Sequence, residues 1–489
     1  MRLEFLRPLQ AVGNPRWLQL ALLGAVIVGL TGCASMKGIL PQALLREAPS
    51  AGATPPAGAP VMVEAQWWRE FGDEQLNRLM DDALIGSPSL KLVQARVARA
   101  QAGGELAEAA TRPQVNAALD ATRQKYTNNG AVPPPLAGTI RESGTAQLTA
   151  GWELDFFGKN RAALDAALGN ARAAQADAQA ARMLLASNVA RTYFQLVRLN
   201  EHLDVARRVL AQREQALRLV QDRVNAGLDT RLELRQSEGT LPDARLQIEF
   251  LQEQLTLNQH ALHALVGSKK LDQALVIPSS NAIKNIAFTS AIPSDLLGRR
   301  ADITAARWRV EAATQEVGNA KSQFYPNINL MAFAGFSSIG LDRLLSAGSE
   351  QWGLGPALRL PLFDGGRLRA NLRGKTADLD AAIESYNAAV IEAVREVADQ
   401  LASTQAIQRQ LLEQRSALAF AENAYEIAVQ RYDAGLGNYL SVLIAETAVL
   451  NQRRQGVDLT ARALDTQVAL IRALGGGYRT DFSVPMAQK

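Results

Sequence analysis

This chain has few of the side chains that carry out chemistry. It contains one cysteine and three histidines in 489 residues, so no disulfide can form within it. His260 and His263 lie at a helical i, i+3 spacing, but no cysteine or tight carboxylate cluster accompanies them to complete a metal site. The Gly-Ser-Lys-Lys run at 267–270 lacks the upstream glycine of a phosphate-binding loop. We therefore expect no enzyme activity, no bound metal and no cofactor.

A strong excess of charge is also missing. The 52 Lys and Arg against 48 Asp and Glu give a formal net charge of +4, and no stripe of basic residues alternates with aromatic ones. Both observations argue against a nucleic-acid partner. The acidic residues of the helical segments are evenly mixed with arginines, which is typical of solvated helix faces rather than of acid–base catalysis.

Long apolar runs are absent after residue 33. A helix needs about 20 mainly apolar residues to cross a bilayer, so if this part of the chain crosses a membrane, we expect it to do so as strands. The apolar run at 17–30 follows Arg2, Arg7 and Arg16. It is short for a transmembrane span and is typical of a signal peptide.

Cys33 follows this N-terminal run. The Leu-Thr-Gly-Cys sequence at 30–33 resembles a bacterial lipobox, which predicts a signal peptide at 1–32 and a covalent lipid on Cys33. A signal peptide or an anchor helix with an incidental cysteine is the alternative. Ser35 stands where inner-membrane lipoproteins carry Asp, which resembles an outer-membrane sorting signal. Residues 33–63 are rich in Pro, Ala and Gly and predict an extended, lipidated tether.

The most informative feature of the chain is that its second half repeats its first. Arg-Val-Asn-Ala-Gly-Leu at 223–228 corresponds to Arg-Tyr-Asp-Ala-Gly-Leu at 431–436. Each repeat is predicted to contain short helices, a β-hairpin, a very long helix, a glycine turn and a return helix. The predicted organisation is a first repeat at 64–270, a connector at 271–300, a second repeat at 301–475 and a tail at 476–489.

The longest predicted elements are two helices without proline, 157–226 and 365–434. They are rich in Ala, Gln, Arg, Leu and Glu, which favour helix, and at 1.5 Å rise per residue each is about 100 Å long. Rods of this length indicate a coiled coil or a helical tube. The other predicted elements are a helix at 301–324, hairpins at 112–156 and 326–362, and return helices at 229–266 and 437–474.

Apolar and polar residues alternate in all four predicted strands. In the second strand Leu148, Trp152 and Phe156 alternate with residues such as Gln147 and Glu153. Each strand has the length that a tilted strand needs to cross a bilayer, about 9–11 residues or slightly more. A soluble hairpin packed on a core would give the same alternation. Since the smallest barrels have about eight strands, a membrane-spanning version must assemble from several chains.

Several short motifs occur in a fixed order. They are Trp-Trp at 67–68, Gly-Trp-Glu-Leu-Asp-Phe-Phe-Gly-Lys at 151–159, Arg-Ala-Asp-Ile at 300–303, Leu-Pro-Leu-Phe-Asp-Gly-Gly-Arg at 360–367 and Arg-Tyr at 431–432. The series covers nearly all of the chain after Cys33. It resembles the outer membrane factor (TolC-like) family, and within it the NodT- and OprM-type lipoproteins of RND tripartite efflux systems.

The resemblance implies an α+β membrane protein with a tandem structural repeat, four transmembrane β-strands per chain and very long α-helices. The expected assembly is a homotrimer with a twelve-stranded β-barrel and a twelve-helix periplasmic α-barrel. The implied location is the cell outer membrane, where the protein is lipid-anchored, contacts outer-membrane lipids and extends into the periplasm.

The function implied by the resemblance is that of a passive exit duct in a tripartite efflux pump. Its partners would be a periplasmic adaptor protein and an inner-membrane transporter of the RND type. The duct of a type I protein-secretion or metal-ion export system is an alternative. A periplasmic adaptor lipoprotein would instead have one helical hairpin flanked by small β domains, and a lipid-anchored enzyme would need a catalytic constellation.

The glycine turns that end the long helices are the predicted adaptor-docking tip. Glycine suits the positive φ of such a helix stop, and a leucine follows each turn. A helical hairpin without a partner is the alternative. The predicted docking residues are Arg223, Gly227, Leu228, Arg431, Gly435 and Leu436.

A gate is predicted beside these turns. The resemblance implies an acidic ring after each glycine turn, and Glu233 matches that position only in the first repeat, because Ser441 and Ile444 occupy the second. We expect three copies of Glu233 near the axis of a trimer, with Arg231 and Asp433 available to pair, and with the repulsion among like charges relieved by such pairing or by a bound cation. The predicted gate and pore residues are Asp229, Arg231, Glu233, Asp433 and Ile444.

Overall fold

The computed structural model describes residues 35–46, 63–267, 275–286 and 300–478. Cys33, the predicted signal peptide at 1–32 and most of the predicted connector at 271–300 lie outside the described residues. The described helices are α1 (Glu74–Gly86), α2 (Pro88–Ala109), α3 (Lys159–Asn225), α4 (Arg231–Val266), α5 (Ala301–Ser322), α6 (Arg367–Asp433) and α7 (Tyr439–Ala473). The strands are β1 (Gln114–Lys125), β2 (Ile140–Leu154), β3 (Asn327–Ile339) and β4 (Glu350–Arg359).

The two long helices have the same length in both repeats. Helices α3 and α6 contain 67 residues each, which corresponds to about 100 Å. The return helices α4 and α7 contain 36 and 35 residues, and α4 continues on both sides of Pro242. No helix of the described residues is long and apolar enough to cross a membrane.

The chain divides into two compact units. One consists of 1–44, 100–171 and 308–384 and contains the sheet; the other consists of 45–99, 172–307 and 385–489. In the sheet unit, Gly169 of α3 lies against α5, where an added Cβ would be 3.1 Å from the Cβ of Ala312. A glycine at this position therefore allows the two helices to approach closely.

The four strands form one antiparallel sheet in the order β1-β2-β3-β4. Residues paired across neighbouring strands share a face of the sheet, and one such row contains Ala117, Leu148, Ala334 and Trp352. The same register aligns most of the apolar residues of all four strands on one face, and Met331 and Phe333 of β3 lie on the other. That face is exposed, and Trp352 has 81% of its surface accessible.

The opposite face of the sheet is mainly polar or small. Gln147 of β2 and Gln351 of β4 are joined by a hydrogen bond of 2.9 Å between their side chains. They reach each other across Gly335 of β3, which pairs with both. Gly335 leaves this space open, since an added Cβ would lie 2.2 Å from a backbone oxygen of β2.

The core of the helical unit is built around aromatic residues. Trp67, Trp68 and Phe71 are almost completely buried, and the Phe71 ring meets the edge of Phe194 of α3 at 5.0 Å between centroids. The Tyr193 hydroxyl donates to Asp73 at 2.7 Å, and the other carboxylate oxygen of Asp73 caps α1. The Trp-Trp motif thus packs the first helices onto α3.

A buried ion-pair network joins three helices in the same unit. Arg300, with 10% of its side chain exposed, contacts Asp302 and Glu396 at 2.7 Å each. Its guanidinium also donates to the carbonyl of Ala473 at 3.4 Å, and Arg472 contacts Glu396 at 3.1 Å. The Arg-Ala-Asp-Ile motif therefore holds the start of α5 against α6 and the end of α7.

Candidate functional site: the turns at the ends of the long helices

Both long helices end in the same glycine turn. Gly227 and Gly435 have φ of +74° and +73°, the left-handed conformation in which a Cβ would be strained. The amide of Leu228 donates to the carbonyl of Arg223 at 2.8 Å, and that of Leu436 to Arg431 at 2.7 Å. These are the six-to-one hydrogen bonds of a Schellman motif, so the repeated sequence produces the same helix stop twice.

Side chains from the two repeats meet directly beside these turns. Arg223 of α3 contacts Asp229 at 2.9 Å, and both side chains are 12% exposed. The hydroxyl of Tyr432, from the end of α6, donates to the same carboxylate. The Arg223 guanidinium lies 4.6 Å from the centre of the Tyr432 ring, within the range of a cation–π interaction. We call Arg223, Asp229 and Tyr432 the tip triad.

The tip triad shifts the titration of its members. Desolvation acts to raise the pKa of Asp229, but the hydrogen bonds from Arg223 and Tyr432 outweigh it and hold that pKa below its ordinary value. The hydrogen bond to Asp229 raises the pKa of Arg223. Burial and the adjacent carboxylate raise the pKa of the Tyr432 hydroxyl. At neutral pH the triad is therefore an ion pair with a neutral phenol.

An apolar cluster supports the tip triad. Val220 of α3 packs with Tyr432, Tyr439 and Val442, and all four are nearly completely buried. The Tyr432 and Tyr439 rings lie 5.6 Å apart. The tyrosine that reaches Asp229 is therefore held by packing between the ends of the two long helices.

The return helices begin with well-formed caps. Thr230 and Glu233 form a capping box at the start of α4, in which the Glu233 carboxylate accepts from the Thr230 amide at 3.0 Å. Asn438 caps α7 by accepting from the amide of Ser441 at 3.0 Å. The hydrogen bonds from Thr230 lower the pKa of Glu233. Such caps satisfy amide groups that the first helical turn leaves unpaired.

The predicted docking residues fall into two groups. Leu228 and Leu436 are 66% and 71% exposed, so both present apolar side chains at the turns. The arginines are engaged within the chain: Arg223 in the tip triad, and Arg431 with the carbonyl of Leu436 at 3.3 Å. Arg223 would have to leave Asp229 before it could bind an adaptor.

The predicted gate residues have partners within the chain, and their arrangement at the axis of a trimer stays a prediction. Asp229 is paired with Arg223, and Glu233 is bound to Thr230 rather than to Arg231 or Asp433. The backbone carbonyl of Asp433, and not its carboxylate, faces Arg223 at 3.5 Å. Ile444 is 64% exposed. The helix start explains the contact of Glu233 with Thr230, because the N3 position of a capping box binds the N-cap amide.

Sequence reasoning missed the role of Tyr432. A signal was present, because the two turns are identical at the arginine, alanine, glycine and leucine and differ elsewhere. Val224 corresponds to Tyr432, and Asp229 corresponds to Gly437. Tyr432 and Asp229, two of the residues that differ between the repeats, bind each other.

A second link between the repeats lies further along the helices. Arg213 of α3 contacts Glu446 of α7 at 3.2 Å, with 17% and 9% of the side chains exposed. Arg213 also donates to the carbonyl of Thr240 of α4 at 3.0 Å. One buried guanidinium therefore connects α3, α4 and α7.

No group of three His, Cys, Asp or Glu side chains in the described residues is placed to hold a metal ion. His263 is buried on α4, and its carbonyl accepts the amide of the C-cap Gly267. The tip consists of two identical helix stops, a buried ion pair and two exposed leucines. The two leucines are the apolar side chains that this arrangement presents at the turns.

Comparison with known proteins identifies the family. The sequence profile of the outer membrane efflux proteins matches residues 79–268 and 292–476, and these ranges cover most of both repeats. The chain belongs to the outer membrane efflux protein family. Its fold is that of the outer-membrane channels of this family, and its location is the outer membrane.

Curated relatives and solved structures agree with this assignment. The multidrug resistance outer membrane protein MdtQ of Escherichia coli O6:H1 is 33% identical over 471 residues, covering 93% of this chain and 97% of the relative. The outer membrane protein VceC of Vibrio cholerae is 38% identical with a TM-score of 0.80, covering 85% of this chain and 99% of VceC. The CmeC outer membrane channel of Campylobacter jejuni has a TM-score of 0.83 at 25% identity, covering 91% and 96%.

Proposed function

We propose that this chain is the outer-membrane channel subunit of a tripartite efflux pump. Three copies form a twelve-stranded β-barrel and a twelve-helix periplasmic tube, which together give a passive exit duct. A periplasmic adaptor binds the tip, and an inner-membrane transporter of the RND class delivers the substrates. The observation that carries the proposal is the four-stranded sheet with an apolar face and two open edges.

The open edges explain why several copies are needed. Within the chain, β1 and β4 each have one neighbouring strand, so the outer backbone groups of both strands lack partners in the sheet. Unpaired backbone groups are costly in hydrocarbon, and only closed barrels remove them. The exposed apolar face, which includes Leu119, Leu354 and Leu358, fits a lipid-facing surface. Pairing of β1 with β4 of the next chain would close the barrel.

The proposed cargo is a small molecule. Relatives such as MdtQ and MdtP are named as multidrug resistance proteins, and the chain shares their fold along most of its length. Cys33 is proposed to carry the lipid anchor, and Leu228 and Leu436 to form the apolar part of the adaptor contact. Metal-ion export or type I protein secretion would use the same duct with other partners.

Barrel closure can be tested by disulfide trapping. β1 and β4 of one chain are separated by two strands, about 14 Å at the usual strand spacing, which is too far for a disulfide. One cysteine is introduced on β1 as Leu119→Cys, and a second is introduced on β4, first as Leu354→Cys and then at its neighbours. A disulfide between the two cysteines should therefore link different chains. We expect covalent trimers on non-reducing gels for at least one register.

A matched control uses Leu148→Cys with Leu354→Cys, because β2 is an interior strand and should not reach a second chain. Covalent trimers absent at every β1–β4 register would contradict the proposed assembly. Function is then measured as drug accumulation in cells that lack their own efflux channel. Restored export of metal ions or of a secreted protein, without restored drug efflux, would replace the proposed cargo class.

A further inference from the structure

The segment that follows Cys33 lies along α6. We call residues 35–46 the anchor segment. The guanidinium of Arg369, in the first turn of α6, donates to the carbonyl of Ser35. Its other terminal nitrogen donates to the carbonyl of Lys37 at 3.4 Å. Both contacts are made to backbone atoms of the anchor segment.

Further along α6 the helix side chains accept hydrogen bonds from the anchor segment, whereas Arg369 donates them. One carboxylate oxygen of Asp380 accepts from the amides of Gln42 and Ala43, at 2.9 and 3.0 Å. The side-chain oxygen of Asn387 accepts from the amide of Arg46 at 2.9 Å. These contacts also involve only the backbone of the anchor segment.

Arg369 and Asp380 form one stripe on α6. They are eleven residues apart, and a helix turns about 100° per residue, so their separation is about three full turns. Eleven residues rise about 16.5 Å along the helix. The five residues from Lys37 to Gln42 span at most about 17–18 Å when extended. The spacing of the stripe therefore matches the reach of a chain that runs parallel to α6.

Recognition through the backbone fits the composition of the anchor segment. Leu40 and Leu44 point away from the protein, with 74% and 82% of their surface exposed. Ile39 is the buried apolar side chain of the segment, at 8% exposure. Pro41 has no amide to donate, and it lies directly before the two amides that Asp380 binds. The stripe thus holds a segment that has no helix or strand and that turns at Lys37 and Gly38, largely independently of its side chains.

We infer that Arg369 and Asp380 are a guide that positions the lipid anchor on the outer membrane. Cys33 precedes Ser35 by two residues, so their Cα atoms can be at most about 7 Å apart. A free tether from 33 to 63 would instead have a root-mean-square reach of about 30 Å. Since β4 ends at Arg359 and α6 begins at Arg367, the guide delivers the acyl chains beside the junction of strand and helix.

This inference rests on the proposed lipidation of Cys33, and its partner is the lipid surface around that junction. Without the guide, lipidation would still occur, but the anchor segment would detach from α6. The acyl chains would then be tied to the protein only through a flexible linker. The guide therefore changes the position of the anchor and leaves the attachment of the lipid unaffected.

The test compares two double variants of the full-length protein. Arg369→Ala with Asp380→Ala removes the guide. Arg367→Ala with Asp378→Ala is the matched control, because these residues have the same side chains on the opposite side of α6, and Asp378 is 65% exposed. Hydrogen exchange of peptides covering 35–46 is measured in each purified protein. We expect the segment in the native protein to exchange at least about tenfold more slowly than the free peptide. The exchange rate of the segment should approach that of the free peptide in the guide variant. In the control it should match that of the native protein.

A second measurement reports the position of the anchor. A fluorophore on Met36→Cys, the only free thiol when Cys33 is acylated, is quenched by nitroxide-labelled phosphatidylethanolamine in proteoliposomes. Quenching should fall several-fold in the guide variant and stay constant in the control. Equal protection and equal quenching in the two double variants would overturn the guide.

The two proposals fail in different ways. An unlipidated Cys33, detected as a missing mass increment of the intact protein, would disprove the lipid anchor. Hydrogen exchange in Cys33→Ala still tests the guide by itself, because the contacts involve residues 35–46 only. Exchange of that segment at the rate of a free peptide would then disprove the guide as well.

Discussion

The hydroxyl of Tyr432 should control how tightly the two repeats are joined at the tip. Tyr432→Phe removes the hydrogen bond to the Asp229 carboxylate and leaves the ring in its buried cluster. The ion pair between Arg223 and Asp229 and the contact of the guanidinium with the aromatic ring remain. We therefore expect a selective weakening of the link between α3 and α6, with the trimer and its surface level unchanged.

The magnitude follows from the type of bond that is lost. A hydrogen bond to a charged group contributes about 1.5–3 kcal/mol. If the link opposes opening of the tip, its loss shifts the closed–open equilibrium by roughly 10- to 100-fold. Asp229→Ala should have a larger effect, because it leaves the guanidinium of Arg223 without its carboxylate in a mostly buried position.

Single-channel recording in planar bilayers measures this change directly. Open probability should rise by about tenfold or more in Tyr432→Phe. Tyr425→Phe is the control, because Tyr425 packs on the same apolar cluster but lies outside the tip triad. Indistinguishable recordings from the two variants would refute a role of the triad in closing the tip.

The same reasoning gives a pH dependence. Because hydrogen bonds hold the pKa of Asp229 below its ordinary value, the triad is fully stabilising above the usual aspartate pKa of about 4. This stabilisation is lost as the pH falls through the lower pKa of the folded state. The native channel should therefore open more often in that acid range, while Asp229→Ala should show a smaller change. A pH response that survives in Asp229→Ala would assign it to another group.

Three further outcomes follow from the described contacts. Glu233→Ala should weaken the start of α4, because it removes the side chain that binds the N-cap amide in the capping box, whereas Glu233→Gln should keep both the capping box and the native conductance; altered conductance in the Gln variant would favour a charged ring. Gly477→Ala should destabilise the trimer by more than about 2 kcal/mol in thermal unfolding, because φ is +79° and the new Cβ would lie 2.5 Å from a backbone carbon, while Gly239→Ala in α4 should be neutral or stabilising. Arg213→Ala should cost about 3 kcal/mol or more by stranding the buried Glu446, and Arg213→Met with Glu446→Leu should recover much of that loss; equal losses would contradict the ion-pair argument.

The two repeats contribute different side chains to the tip, and the sequence alone only suggests this difference. Both halves make the same Schellman turn, but the first supplies Asp229 and the second supplies Tyr432. One chain therefore has a single polar link at the tip rather than two equivalent ones. The expected second acidic position is occupied by Ser441, whose amide is bound by the N-cap Asn438.

The sequence by itself determined the features that depend on neighbouring residues. Proline-free runs rich in helix formers predicted α3 and α6 to within about two residues of their observed ends, and alternation predicted which residues share a face of the sheet. The glycines at 227 and 435 predicted the helix stops, because the left-handed conformation disfavours other residues. These signals are local, with periods of two or 3.6 residues.

The contacts between distant segments were decided only by the tertiary structure. Tyr432 and Asp229 are 203 residues apart, and Gln42 and Asp380 are 338 apart. A carboxylate such as Glu233 can serve a helix cap or a ring of charge with the same local sequence; within one chain it forms the cap, and the ring at the axis of a trimer stays a prediction. Backbone recognition of the anchor segment has no side-chain pattern to detect, since it depends on where α6 places a guanidinium and a carboxylate along one face.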